Sequence, residues 1–307
     1  MITSPTRSYR RATYFLILLF CAFAAGQQQP AASVESDTQT VLAAGDIAEC
    51  PRYDGAERTA KLLDEQPGTI LALGDLSYPS GTDQSFADCY ARSWGRHKAR
   101  TRPAPGNHEY RTLGAGGYLR YFGASAGTPG HLYYSFDLGN WHLIALDSEC
   151  AQIGGCQKGS AEERWLRDDL QHNSGKCILA FWHVPLFSSG DEHGNSLEMA
   201  PFWDDLYAAH ADLVLNGHDH DYERFAPQDP KGQKDEKNGI REFVVGTGGA
   251  PLRNFRPALP TTEVRDRSAW GVLKLTLRRD TYDWEFLPVS GSFKDSGSGA
   301  CHAAQTK

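Results

Sequence analysis

Between residues 40 and 220 the chain repeatedly sets an Asp, Asn, Tyr or His just after a glycine or a short apolar run. The points are Gly45-Asp46, Gly74-Asp75-Leu76-Ser77-Tyr78, Gly106-Asn107-His108-Glu109, Trp182-His183 and Gly217-His218-Asp219-His220. Carboxylate, amide and phenol oxygens mixed with imidazole nitrogens suit moderately hard divalent or trivalent metals. The glycines let the backbone turn sharply, so that short side chains converge on one point. Each motif alone has an ordinary explanation. Asp46 could cap a helix, Tyr78 could be a half-buried packing residue, and Asn107-His108 could be a turn. His218 and His220 stand better, because residues two apart in extended chain point the same way. Asp46, Asp75, Tyr78, Asn107, His183, His218 and His220 together, at five strand ends, argue against coincidence.

The elements that must position these residues are legible in the pattern. Apolar runs TVLAAG (40–45), TILALG (69–74), CILAFW (177–182) and DLVLNG (212–217) read as buried strands. Segments 54–65, 160–172 and 198–210 carry apolar residues at helical spacing, and Ser160 with Glu163 forms a capping box. Segment 132–147 alternates about Gly139-Asn140 and reads as a hairpin, and 271–289 reads as another turning near Arg279-Asp280. Segment 227–239 is polar enough to be a solvated loop. Strand–helix units plus hairpins imply mixed sheets covered by helices. In such sheets, binding residues sit in loops beyond the carboxyl ends of the strands.

The first 26 residues begin with Arg7, Arg10 and Arg11, continue into an apolar run from Tyr14, and end in Ala22-Phe23-Ala24-Ala25. A basic start, a short apolar core and a small-residue site describe a secretory signal, with an uncleaved anchor as the alternative. The polar stretch 27–39 reads as a disordered lead-in, and 40–307 as one domain. The expected location is therefore export, to a periplasm or the medium. The formal charge of the 307-residue chain is −7, and losing three arginines moves it further negative. Such a protein has no electrostatic reason to bind nucleic acid or anionic membranes. Six cysteines remain beyond Cys21, an even count that reads as three disulfides in an exported chain. The short Gly-containing loop favours Cys150–Cys156, and Cys50–Cys89 with Cys177–Cys301 is the expected remainder. No C-x-x-C pair points to zinc bound by cysteine.

The ordered set resembles the calcineurin-like metallophosphoesterase superfamily, and most of all the purple acid phosphatases. Most of the superfamily has a histidine two residues after the first aspartate, where this chain has Ala48. Purple acid phosphatases lack it too and use a tyrosine three residues after the second aspartate, where Tyr78 stands. The run Gly217-His218-Asp219-His220-Asp221-Tyr222-Glu223-Arg224 also resembles their last motif, GHxHxYER. The likeness spans roughly residues 40–290. It implies a four-layer α/β/β/α fold, two mixed sheets packed as a sandwich and flanked by helices. No separate N-terminal β-sandwich of the large plant enzymes is apparent, so the resemblance is to a stand-alone bacterial type.

Carried over by position, one metal, ferric in the family, would take Asp46, Asp75, Tyr78 and His220. The other, a divalent zinc, manganese or iron ion, would take Asp75, Asn107, His183 and His218, with Asp75 bridging. Two metals about 3.5–4 Å apart lower the pKa of a shared water, and the resulting hydroxide attacks phosphorus in line. No G-x-S-x-G elbow supplies a protein nucleophile. His108 is the candidate for stabilising the phosphoryl oxygens and His193 for protonating the leaving group, with Asp219 and Tyr222 orienting the ligating histidines. The implied function is hydrolysis of phosphate monoesters on a small molecule or a protein. A phosphodiesterase on the same site is the alternative, and an exported binding module without catalysis the different-class one.

Overall fold

The computed structural model describes residues 1–5 and 38–302. The expected signal segment and most of the lead-in, 6–37, lie outside the described residues. The lead-in as read, 27–39, also runs one residue into the first strand, which begins at Gln39.

Two mixed sheets carry the fold. The first holds β1 (Gln39–Ala44), β2 (Thr69–Leu73) and β3 (Thr101–Ala104), all parallel. It continues antiparallel from β1 through β11 (Gly271–Leu277) and β12 (Thr281–Pro288) to β13 (Ser296–Ala300). The second has β5 (Trp141–Ala145), β6 (Cys177–Phe181), β7 (Leu213–Asn216) and β9 (Arg241–Val245) running parallel at its centre. β4 (Tyr134–Leu138) flanks one side, and β8 (Tyr222–Phe225) with β10 (Thr262–Asp266) the other.

Alternation along the second sheet explains the layers. Leu143, Leu179, Leu213 and Phe243 join the core made with Val41, Leu71 and Leu273 of the first sheet. Their neighbours Ile144, Ile178, Val214 and Val244 point the other way, onto Leu166 and Leu170 of helix Ala161–His172 and onto Phe202, Trp203 and Leu206 of helix Ala200–Ala208. A strand buried on both faces must be apolar at every position, which is why these runs show no polar alternation. On the first sheet, helix Gly55–Asp64 buries Ala56, Ala60 and Leu63. Burial of these side chains at about 25 cal/mol per Å² is what fixes the two sheets face to face.

The four expected strands, three helices and two hairpins all form, within one or two residues of the read bounds. Ser160 caps its helix by accepting from Glu163 N at 3.3 Å, while Glu163 Oε2 accepts from Gly159 N at 2.8 Å. The expected three disulfides are Cys50–Cys89, Cys150–Cys156 and Cys177–Cys301. Segment 227–239 is less solvated than read. Gln228 is fully buried, donating to Glu242 Oε2 at 3.1 Å and accepting from Thr261 Oγ1 at 2.5 Å. Among the described residues no helix is long and apolar enough to cross a membrane.

Candidate metal centre

Five strands of the two sheets end on one line and deliver the polar loops there. β1 ends at Ala44 just before Asp46, β2 at Leu73 before Asp75 and Tyr78, and β3 at Ala104 before Asn107. From the opposite sheet β6 ends before His183 and β7 before His218 and His220. Three of these residues sit in left-handed backbone, with φ of 58° at Asp46, 51° at Asp75 and 73° at His218. A non-glycine residue there costs of order 1 kcal/mol and points to a functional constraint. Gly106 is required by closeness. A Cβ on it would lie 2.4 Å from Asp75 Oδ1 and 2.5 Å from Asp75 N.

The side chains meet as two groups that share one atom. Tyr78 O–H lies 2.9 Å from Asp46 Oδ1, 3.2 Å from Asp75 Oδ2 and 3.1 Å from His220 Nε2. His220 Nε2 is 3.2 Å from Asp46 Oδ1. His183 Nε2 lies 3.4 Å from Asp75 Oδ2, 3.2 Å from Asn107 Oδ1 and 3.2 Å from His218 Nδ1. Ligands held about 2.1 Å from one ion stand about 3.0–3.4 Å apart at right-angled to tetrahedral angles. The distances from Tyr78 in the first group and from His183 in the second are close to that spacing, and both donor sets mix oxygen with imidazole nitrogen. The donor chemistry therefore suits metal binding, with Asp75 Oδ2 common to both groups.

Backbone atoms aim these ligands. His183 Nδ1 contacts Leu73 O at 2.8 Å and His220 Nδ1 contacts Pro251 O at 2.9 Å, which turns each Nε2 inward. The free oxygens of the two aspartates are held by backbone N–H groups, Asp46 Oδ2 by His218 and Asp75 Oδ1 by His108, each at 2.8 Å. Glu109, fully buried, accepts from four backbone N–H groups. Its Oε2 takes those of Asp75 and Gly106 at 2.9 Å, and its Oε1 those of Leu76 at 2.9 Å and Ser77 at 3.2 Å. The clamp ties the Asp75 loop to the Asn107 loop. Sequence reasoning quoted Glu109 without giving it a part, since its role lies in which N–H groups it meets.

Asp46, Asp75 and His183 bring ligand atoms within 4.8 Å of one another, and so do Cys177, Asp212 and Cys301, but the latter triad is closed by the disulfide and has no thiolate to offer. A groove of about 470 Å³ beside Leu170, Asp205, Ala209 and His302 shares no residue with the centre, and among the described residues no ligand set converges in it.

The calcineurin-like phosphoesterase family matches residues 39–222, more than half the chain and all seven ligand candidates. The chain belongs to that family. Among curated proteins it is 27% identical to purple acid phosphatase 15 of Arabidopsis thaliana over 64% of this chain and 42% of that protein. It is 29% identical to purple acid phosphatase 21 of the same plant, over 73% of this chain and 54% of that one. The chain thus spans about half the length of the curated relatives it matches. A solved purple acid phosphatase from yellow lupin (Lupinus luteus) seeds shares the fold at a TM-score of 0.69 and 20% identity, over 86% of this chain and 54% of that one.

Around the candidate ligands the chain places its two other expected histidines on different flanks. His108 packs against the Tyr78 ring at 4.3 Å between centroids, bonds Pro79 O through Nδ1 at 2.6 Å and leaves Nε2 3.7 Å from Asp75 Oδ2. His193 stacks on the ligand His218 at 4.0 Å and 27°. Partial loss of solvent around each ring pushes the pKa of both below the usual imidazole value. Asp219 does not orient the ligating rings as expected. Its Oδ2 accepts from Ser188 Oγ and from Gly194 N at 3.0 Å, so it holds the loop that carries His193. Tyr222 is also reassigned. It is buried under the first sheet and donates to Asp295 Oδ2 at 2.7 Å, because a β8 residue two positions past His220 points into the inter-sheet core.

Proposed function

We propose that this phosphoesterase is an exported two-metal phosphatase of the purple acid kind, hydrolysing phosphate monoesters. The observation that carries the reading is the Tyr78 phenol, within 3.2 Å of Asp46, Asp75 and His220. A tyrosine in that ligand group is what separates the purple acid phosphatases from the rest of the superfamily. Asp46, Asp75, Tyr78 and His220 would hold a ferric ion, and Asp75, Asn107, His183 and His218 a divalent zinc, manganese or iron ion. When bound, such a pair activates a water for in-line attack and neutralises the phosphoryl oxygens.

The protein's own groups supply the rest. His108 has its Nδ1 committed to Pro79 O, so its Nε2 is the face turned to substrate, ready to donate to a phosphoryl oxygen. His193 is exposed and beside His218, placed to protonate the departing alcohol. Asp219 keeps it there through the 188–194 loop. Three disulfides support folding in an oxidising compartment.

The deciding experiment is hydrolysis of an aryl phosphomonoester beside the matching diester by the metal-loaded protein. Strong monoester preference is expected. Diester preference would make the protein a phosphodiesterase on the same site, and no turnover of either by a folded, metal-loaded protein would favour a binding module. The loaded protein should also be coloured by phenolate-to-iron charge transfer, and Tyr78→Phe should bleach it. A colourless, iron-loaded wild type would remove the ferric–tyrosinate assignment.

A further inference from the structure

Beside the acid-candidate histidine stands a cation that the ligand motifs do not contain. Arg253 Nη1 lies 3.3 Å from His193 Nε2 and 2.5 Å from Glu192 Oε2. Its backbone N–H donates to His220 O at 2.9 Å, which anchors it to the last ligand strand end. The two segments that meet here are zipped together. Asp191 N donates to Asn254 O at 3.0 Å, Arg256 N to Ser189 O at 2.7 Å, and Gly190 bridges Phe255. A guanidinium on so fixed a stem is pre-organised for a planar anion. It is 30% exposed, so solvent and substrate can reach it.

We propose that Arg253 is a specificity residue for substrates whose leaving group is itself anionic, above all phosphoanhydrides such as inorganic pyrophosphate or a nucleoside diphosphate. The inference rests on the reading of the site as a phosphatase with His193 on the leaving-group flank. His193 and Arg253 then divide leaving groups by chemistry. An alcohol must gain a proton as it departs, and His193 supplies it. A phosphate leaves as a stable anion and needs charge neutralisation instead. In the anhydride reaction the water oxygen bonds the terminal phosphorus and the bridging P–O bond breaks. The departing phosphate keeps that electron pair, and the water's surplus proton goes to solvent. The new negative charge on the departing phosphate faces the Arg253 guanidinium, which can donate two N–H bonds to its oxygens in bidentate fashion. Glu192 competes for the same guanidinium, so it sets how strongly the fork is available.

The test compares kcat/KM for pyrophosphate with that for an alkyl phosphomonoester, in the metal-loaded wild type and in Arg253→Gln, Arg253→Lys and His193→Ala. In Arg253→Gln the anhydride-to-ester ratio should fall about 30-fold, the size of one lost charge-assisted pair on a phosphate. Arg253→Lys should recover part of the loss, and Glu192→Gln should raise the ratio. His193→Ala should move the ratio the other way, by losing alkyl ester turnover first. Equal losses on both substrates in Arg253→Gln would mean that Arg253 only positions His193, and would overturn the proposal. An unchanged ratio would overturn it too. Calorimetry with methylenediphosphonate and inorganic phosphate keeps the two readings separate. Should the wild type turn over neither substrate, the phosphatase reading fails. Arg253 is then judged by whether Arg253→Gln weakens diphosphonate binding at least tenfold more than phosphate binding.

Discussion

Glu109→Gln is the perturbation whose size can be worked most directly. The glutamine keeps the shape of the clamp but presents one oxygen and one NH₂ group. Whichever way its amide turns, two of the four backbone N–H groups lose their acceptor. Either Asp75 and Gly106 or Leu76 and Ser77 then face another donor. Two buried N–H groups left without an acceptor cost about 2–6 kcal/mol gross. Part of that is offset. Burial, and next the charge of Asp75, push the Glu109 carboxyl up to about 8, so a neutral amide escapes the cost of holding a buried charge. A net loss of about 2 kcal/mol follows, or roughly 5 °C in Tm for a domain of this size. The larger effect should fall on the metals, because both Asp75 and the Asn107 loop lose their register. Loss of such an outer hydrogen-bonding partner weakens metal affinity about 10–100-fold. Thermal unfolding and metal content after gel filtration measure the two effects. A variant that retains both metals at wild-type affinity would refute the idea that Glu109 holds the loops in register.

Gly106→Ala should lose bound metal and about 1–3 kcal/mol of stability, since the added Cβ would press Asp75 Oδ1 and Asp75 N from 2.4 and 2.5 Å. Metal analysis and urea unfolding check it, and a fully loaded variant would sink it. His142 is nearly buried between Asp137 Oδ1 at 2.8 Å and Asp169 Oδ2 at 2.7 Å. Burial opposes its charge, but the bonds to Asp169 and Asp137 outweigh it and raise its pKa above 6.5. Its stabilisation is therefore complete below pH 6.5 and lost as pH rises through the folded value. His142→Asn should cost about 1–2 kcal/mol at pH 6 and clearly less at pH 9, a difference that paired denaturant curves resolve. Chelation of ions held at about 100 times Kd should remove about 2.7 kcal/mol and lower Tm by roughly 5–10 °C for each site emptied, and an unchanged Tm would argue against a metal-bearing fold.

The strands that build the centre were legible because they are buried on both faces and so read as unbroken apolar runs. β3 was not. Its residues Thr101-Arg102-Pro103-Ala104 contain a charge and a proline, which a strand tolerates only at a sheet edge, and β3 is the edge strand of its sheet. β13, Ser296–Ala300, escaped for a similar reason. It has two glycines among small polar residues and is held by pairing with β12 rather than by its own burial. At the centre, the seven ligand candidates announced themselves through glycine-led turns. Glu109, Arg253 and the true partners of Asp219 and Tyr222 did not, because their parts depend on contacts 25 to 73 residues away in the chain. Arg253 lies 60 residues from His193, with no spacing to betray the pair.

The division of the ligands between the sheets has an electrostatic corollary. Asp46, Asp75, Tyr78 and Asn107 follow strands of the first sheet, and His183, His218 and His220 follow strands of the second. Burial opposes charge on His183, but Asp75 and then Asp46 outweigh it and push its pKa up to about 10. His218 is held well below the ordinary value by burial, by His183 and by His193. The surroundings of this pair therefore favour a proton on His183, 3.4 Å from Asp75 Oδ2, over one on His218. A metal needs the neutral imidazole, so capture must expel the proton and take over its role as counter-charge. Metal affinity should accordingly weaken with falling pH well above the ordinary imidazole range.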